Sequence, residues 1–165
     1  MKRLEFIQSK IFDAERLQRQ ISIWKFLGKK IVFTNGCFDI LHLGHIDYLS
    51  KAADEGDILI IGVNTDRSTS GLKGPHRPIN NEQQRSMILA SLHFVGAVIL
   101  FDEPTPIELI RLVQPDVLIK GADYKPEEIV GYDIVKANGG TVKTIEFLPG
   151  YSTTLIEEKI IKSKK

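Results

Sequence analysis

Thr34-Asn35-Gly36-Cys37-Phe38-Asp39-Ile40-Leu41-His42-Leu43-Gly44-His45 sets two imidazoles around a glycine where an apolar run gives way to a helical pattern. Upstream, Lys30-Ile31-Val32-Phe33 reads as a short buried strand. Downstream, Ile46-Asp47-Tyr48-Leu49-Ser50-Lys51-Ala52-Ala53 carries apolar residues at helical spacing. In an α/β sheet such a turn lies at the carboxyl end of its strand, where backbone N–H groups and the helix dipole converge on a bound anion. Gly36 and Gly44 allow the backbone to come close to it. His42 and His45, three residues apart, project to one side, and each can donate a hydrogen bond to a phosphate oxygen. The bland alternative is a pair of ordinary histidines, with Asp39 capping the helix and Phe38 in the core. Two histidines flanking a glycine after Gly-x-Phe-Asp is a narrower pattern, and it points to phosphate.

Working outward, the chain alternates strand and helix. Candidate strands cover residues 31–35, 57–63, 96–101, 116–120 and 141–146, and candidate helices 44–55, 81–93, 105–113, 126–137 and 153–162. This alternation predicts an α/β fold with a doubly wound, five-stranded parallel sheet and right-handed crossovers. Residues 11–27 hold Ile11, Phe12, Leu17, Ile21, Ile23, Trp24 and Leu27 among charges, and Gly28 supplies a stop, so one further helix is expected ahead of the first strand. The expected organisation is an N-terminal helical extension over 1–29 and one main unit over 30–165, a single domain overall. The connection over residues 64–80, with Gly71, Gly74, Pro75 and Pro78, is too long for an idle turn and is expected to be a functional loop.

Composition excludes several classes. A 165-residue chain with 42% hydrophobic and 26% charged residues and a net charge of +1 fits one soluble domain. A nucleic-acid binder would show a basic excess, and none is present; the terminal lysines read as a solvated chain end. With no apolar run of membrane-spanning length and no signal-peptide pattern, a cytoplasmic protein without a membrane role is expected. The single cysteine, Cys37, agrees with a reducing compartment. It reads as a small side chain under the turn rather than a nucleophile. His, Cys and carboxylates show no zinc-site spacing, and no protein metal ligand is assigned.

The segment GCFDILHLGH (36–45) resembles the signature of the cytidylyltransferase-like nucleotidyltransferases, and the likeness runs from Lys30 to Ile161. Within that superfamily LKGPHRPIN (72–80), IKGADYKPEEIVG (119–131) and NGGTVKTIEFLPGYSTT (138–154) resemble the D-glycero-β-D-manno-heptose 1-phosphate adenylyltransferases. The resemblance implies the strand order 3-2-1-4-5, with a ligand crevice beside the first strand. It implies transfer of AMP from ATP to the sugar 1-phosphate, giving ADP-heptose and pyrophosphate for lipopolysaccharide or other surface glycan synthesis, with Mg2+ accompanying ATP. A homodimer is implied, as is a separate heptose 7-phosphate kinase, because in many bacteria a sugar kinase is fused to this activity.

On that basis His42, His45 and Lys73 are the expected catalytic residues. Thr34, Asn35, Gly36, Cys37, Phe38 and Gly44 are expected around the nucleotide, as are Lys120, Gly121 and Asp123 after the fourth strand. Tyr151, Ser152, Thr153 and Thr154 present hydroxyls at another helix start, a second anion site in prospect; by themselves Ser-Thr-Thr before an apolar run also read as an N-cap. Asp39, Lys73, Arg77 and Arg85 are expected near the acceptor. For Arg85 a surface pair with Glu82 is the alternative, and for Asp123 a capping role. Two other functions stay open. One is glycerol-3-phosphate cytidylyltransferase, although Phe147 stands where that family carries arginine; the other is a non-catalytic nucleotide-binding module on the same fold.

Overall fold

The computed structural model describes residues 2–122 and 125–163. Its centre is explained by one fact of composition: Ile58–Asn64, ILIIGVN, is apolar at nearly every position, so it is buried on both faces and must be an interior parallel strand. The chain runs α1 (Arg3–Ser9), β1 (Ile11–Phe12), α2 (Ala14–Phe26), β2 (Ile31–Gly36), α3 (Leu43–Ala53), β3 (Ile58–Asn64), α4 (Asp66–Lys73) and α5 (Glu82–Ser91). It continues with β4 (Val95–Phe101), α6 (Ile107–Val113), β5 (Val117–Gly121), α7 (Tyr132–Ala137), β6 (Thr141–Ile145) and α8 (Thr153–Ser163). The sheet is parallel throughout, in the order β1-β4-β3-β2-β5-β6.

Successive strand residues alternate between two cores, as the pleat requires. Ile31 and Phe33 of β2, with Ile60, Ala97, Ile99 and Leu118, pack beneath α2, α6 and α7 through Leu17, Ile21, Leu109, Ile110, Val113 and Val135. Val32, with Leu59, Ile61, Val98, Val117 and Ile119, faces α3 and α5 through Tyr48, Leu49, Ala52, Leu89 and Ala90. After β4 the chain returns to the other side of β2 to form β5, so the carboxyl ends of β2 and β5 flank the switch point, the usual place for a ligand crevice.

The expected order 3-2-1-4-5 is present as β4-β3-β2-β5-β6, but the sheet has six strands rather than five. The additional one comes from the segment read as a single helix. Ile11 and Phe12 pair with Val98 and Ile99 at the sheet edge, and Asp13 then caps α2 by accepting from the Arg16 N–H at 2.8 Å. An Asp ahead of an amphipathic run is a start signal, so the helix begins after it, and the apolar pair before it is free to extend. Leu17 of this segment has no exposure and belongs to the core.

A second correction concerns residues 64–80. Half of that connection is α4, whose low-propensity sequence DRSTSGLK is started by the Thr65 side chain accepting from the Ser68 N–H and fastened by the buried Thr69. Leu17→Ala is expected to cost about 2–5 kcal/mol, read as a lowered urea midpoint with one unfolding transition. A separate early transition with the main midpoint unchanged would mean that the N-terminal segment folds independently.

Candidate functional site

Where β2 ends the backbone turns sharply, and Phe38 takes φ +50°, which is strained for a side chain of its size. His42 follows as the N-cap of α3 in extended conformation, and no side chain caps the helix. The His45 N–H turns back to the His42 carbonyl at 2.9 Å, and the Leu43 and Gly44 N–H groups ahead of it are left for a ligand. A Cβ at Gly44 would lie 3.1 Å from the His42 ring and 3.2 Å from the Tyr151 Cβ. The absence of that atom is what lets the segment ahead of α8 close against the start of α3. The two motifs, about a hundred residues apart in sequence, thus meet at one rim.

The His42 and His45 rings stack with centroids 3.9 Å apart and planes 32° from parallel, and Phe38 lies 5.5 Å from His45. Burial, then the neighbouring His42 and Lys73, push the His45 pKa down to about 4; burial also lowers that of His42. The pair is neutral at pH 7. The Nδ1 atoms of both rings and Oδ1 of Asn35 are buried with no hydrogen-bond partner. Buried polar atoms without partners are rare, and three at one site mark a place shaped for something polar.

His45 and Asn35 open on a cavity of about 480 Å³ that also exposes Lys73, Lys120, Gly121 and Cys37; His42 packs against His45 outside its lining. Lys73 stands at the end of α4 instead of on a free loop, because Gly74 at φ +98° terminates the helix there. Lys120 is held among apolar neighbours with the Asn35 carbonyl accepting from its Nζ at 3.4 Å, and burial lowers its pKa to about 8. Near neutral pH the cavity therefore offers ammonium charge beside neutral imidazole donors, which suits a polyanion. Ser152 Oγ accepts from the Leu155 N–H at 3.1 Å and starts α8, with Thr153 and Thr154 in its first turn. The capping reading of this motif and its nearness to the site are compatible.

Several expected contacts are placed differently. The Thr34 hydroxyl is fully buried and bonded to the Tyr48 hydroxyl at 2.7 Å, so it braces β2 against α3 instead of facing the cavity. Asp39 does not cap α3. Its carboxylate accepts from the Ile79 and Asn80 N–H groups at 2.7 and 3.0 Å and from Arg77 Nη1 at 2.6 Å. Burial would raise its pKa, but those donors outweigh burial and hold it below the ordinary carboxylate value. Arg77 spends its other nitrogen on Glu157 of α8.

Arg85 has a fully buried side chain. It donates to the Asn80 and Cys37 carbonyls at 3.0 and 2.6 Å and pairs with Asp66 at 2.8 Å, not with Glu82. Asp39, Arg77 and Arg85 therefore position the rim rather than reach into it. Asp123 lies outside the described residues. Tyr48 and Phe147, which line the cavity, were not singled out for the site by sequence, although Tyr48 follows His45 by one helical turn. No group of three His, Cys, Asp or Glu able to hold a metal occurs among the described residues, and Asp39 is committed to Arg77. No described helix is long and apolar enough to cross a membrane.

The profile of the cytidylyltransferase-like family matches residues 33–159. The bifunctional protein HldE of Methylobacillus flagellatus is 50% identical over 151 residues, which cover 92% of this chain and 31% of that protein. HldE of Nitratiruptor sp. is 56% identical over 133 residues, 81% of this chain and 28% of that protein. The chain thus spans less than a third of the length of these relatives. Among solved structures, the lipopolysaccharide core biosynthesis protein from Thermoplasma volcanium superposes with a TM-score of 0.60 at 35% identity, covering 73% of this chain and 98% of its own. Pantoate-beta-alanine ligase from Francisella tularensis shares the fold, with a TM-score of 0.56 at 19% identity over 94% of this chain and 78% of its own.

The depressed pKa of His45 has a stability consequence. Between its folded value of about 4 and an unfolded value near ~6.5, the unfolded chain binds the extra proton. The associated stability is complete above the unfolded value and is lost as pH falls toward 4. Urea midpoints should drop between pH 7 and 5, and His45→Gln should flatten that slope. Equal slopes in both proteins would show that His45 is not held neutral by the fold.

Proposed function

The chain belongs to the cytidylyltransferase-like family, and from that premise we propose that it is an adenylyltransferase moving AMP from ATP to D-glycero-β-D-manno-heptose 1-phosphate. The products are ADP-heptose and pyrophosphate, serving lipopolysaccharide or surface glycan synthesis in the cytoplasm. The observation that carries the chemistry is the stacked, neutral His42–His45 pair at the uncapped start of α3. The heptose acceptor is supported by identity near 50% to HldE proteins across most of this chain and by the three segments resembling that enzyme.

In this reading a phosphate oxygen of the sugar 1-phosphate attacks the α-phosphorus of ATP as the bond to pyrophosphate breaks. The acceptor is already an anion, so no side chain must remove a proton. What the protein has to supply is alignment and donors for the charge that gathers on the equatorial oxygens. His42, His45 and the α3 amides do this at the α-phosphate. Lys73 and Lys120 add positive charge, and the start of α8, with Ser152 and Thr153, takes the outer phosphates. Mg2+ would arrive with the nucleotide, held by its phosphates rather than by a set of side chains, and would supply neutralisation of their charge. The Asp39–Arg77–Glu157 chain keeps the two helix starts facing one another.

His42→Ala and His45→Ala are each expected to lower kcat by about 10²–10³-fold while changing ATP affinity little, because their donors meet charge that develops in the transition state. Circular dichroism melts would establish that the variants fold; unchanged turnover in either would remove that residue from the mechanism. The substrates are tested by pyrophosphate release over a matrix of ATP, CTP and GTP against heptose 1-phosphate, glycerol 3-phosphate and phosphopantetheine. ATP with heptose 1-phosphate should give the highest kcat/KM. A higher value for CTP with glycerol 3-phosphate would replace this assignment, and no release with any pair would favour a non-catalytic module.

A further inference from the structure

Phe147 is an aromatic ring with no role in the fold's cores. It lies just beyond β6, is 48% exposed, and nevertheless forms a wall of the cavity that holds His45 and Lys120. The tip of its ring occupies the space beside Gly121 at the end of β5: a Cβ there would fall 2.1 Å from its Cζ and 2.4 Å from Cε2. The Tyr48 ring is a tilted neighbour, its centroid 5.7 Å away and its plane at 38°. Only glycine at 121 leaves room for a flat group on this strand end, and the flat group present is a side chain that can turn out into solvent. An exposed apolar ring in a cavity that also holds the Lys73 and Lys120 side chains fits an apolar ligand face better than it fits water.

We propose that Phe147 is the base-stacking residue of this site: it rests on Gly121 in the free protein, swings aside as the nucleotide enters, and closes on the face of the adenine. The proposal rests on the nucleotide reading above and extends it. With the phosphates at the starts of α3 and α8, the nucleoside has to extend along the carboxyl edge of the sheet, and β5 is the strand next to β2. Gly121 then serves two occupants in turn, the Phe147 ring and the base. Stacking is nearly blind to base identity, because every base has a π-face. Phe147 accordingly contributes affinity for nucleosides over bare phosphates, and discrimination between adenine and cytosine belongs to edge contacts elsewhere.

Calorimetric titration of the full chain with ATP and with inorganic tripolyphosphate tests this. In Phe147→Ala the ATP Kd should rise on the order of 10- to 100-fold while the tripolyphosphate Kd stays at the wild-type value. Phe147→Trp should restore ATP affinity, and its indole emission, above the Trp24 background of the parent protein, should be quenched by ATP and not by tripolyphosphate. ATP binding by Phe147→Ala that equals or exceeds that of the parent would make the ring a plug and overturn the proposal. So would an equal loss of both ligands, which would signal a collapsed site. If the parent itself bound tripolyphosphate but gained nothing from the nucleoside, the nucleotide reading would fail along with the proposal.

Discussion

Asp39 is a carboxylate taken out of water, and it stays charged only because two backbone N–H groups and the Arg77 guanidinium converge on it. A buried charge that loses its partner costs about 3–5 kcal/mol, so the geometry of those donors is enforced. From this one group the rim is assembled. Ile79 and Asn80 tie the segment after α4 to the end of β2, and Arg77 carries the connection to Glu157 on α8. Arg85 repeats the device one layer away, joining the Asn80 and Cys37 carbonyls to Asp66 at the start of α4.

What this scaffold presents is a site with two kinds of donor. The histidines are desolvated enough to be neutral, so they are available as hydrogen-bond donors without the repulsion a cationic pair would suffer at 3.9 Å. Positive charge is supplied separately, by Lys73 from the end of α4 and by Lys120 from the carboxyl end of β5. Separating orientation from charge lets the imidazoles be held rigidly while an exposed lysine adjusts to the ligand.

The cores explain why the site can be built from loops. Both faces of the sheet are covered, by α2, α6 and α7 on one side and by α3 and α5 on the other, so the ends of β2 and β5 are held by the whole domain. Edge strand β1 and the buried Leu17 extend this cover to the N-terminal segment. Short-range turns at the strand ends can then be strained, as at Phe38, without losing their positions.

The alternation of strands and helices and the His-x-Gly-His turn were legible because they rest on local periodicity, and the order of the five principal strands followed from resemblance. Lys73 and His45 line one cavity, and His42 packs against His45 beside it. Other features depended on distant partners. Whether Ile11 and Phe12 continued a helix or formed a strand was decided by the open edge of β4, and α4 formed from a weak sequence because Thr65, Thr69 and Arg85 fasten it. An arginine or aspartate has the same local signature whether it faces a ligand or another side chain. Only the fold could decide that Asp39, Arg77 and Arg85 spend their charges on one another's segments, and that Phe147 comes to lie on Gly121. By itself the chain determined which groups were available; tertiary packing decided which were left free, because a polar group's task is set by the partners that reach it first.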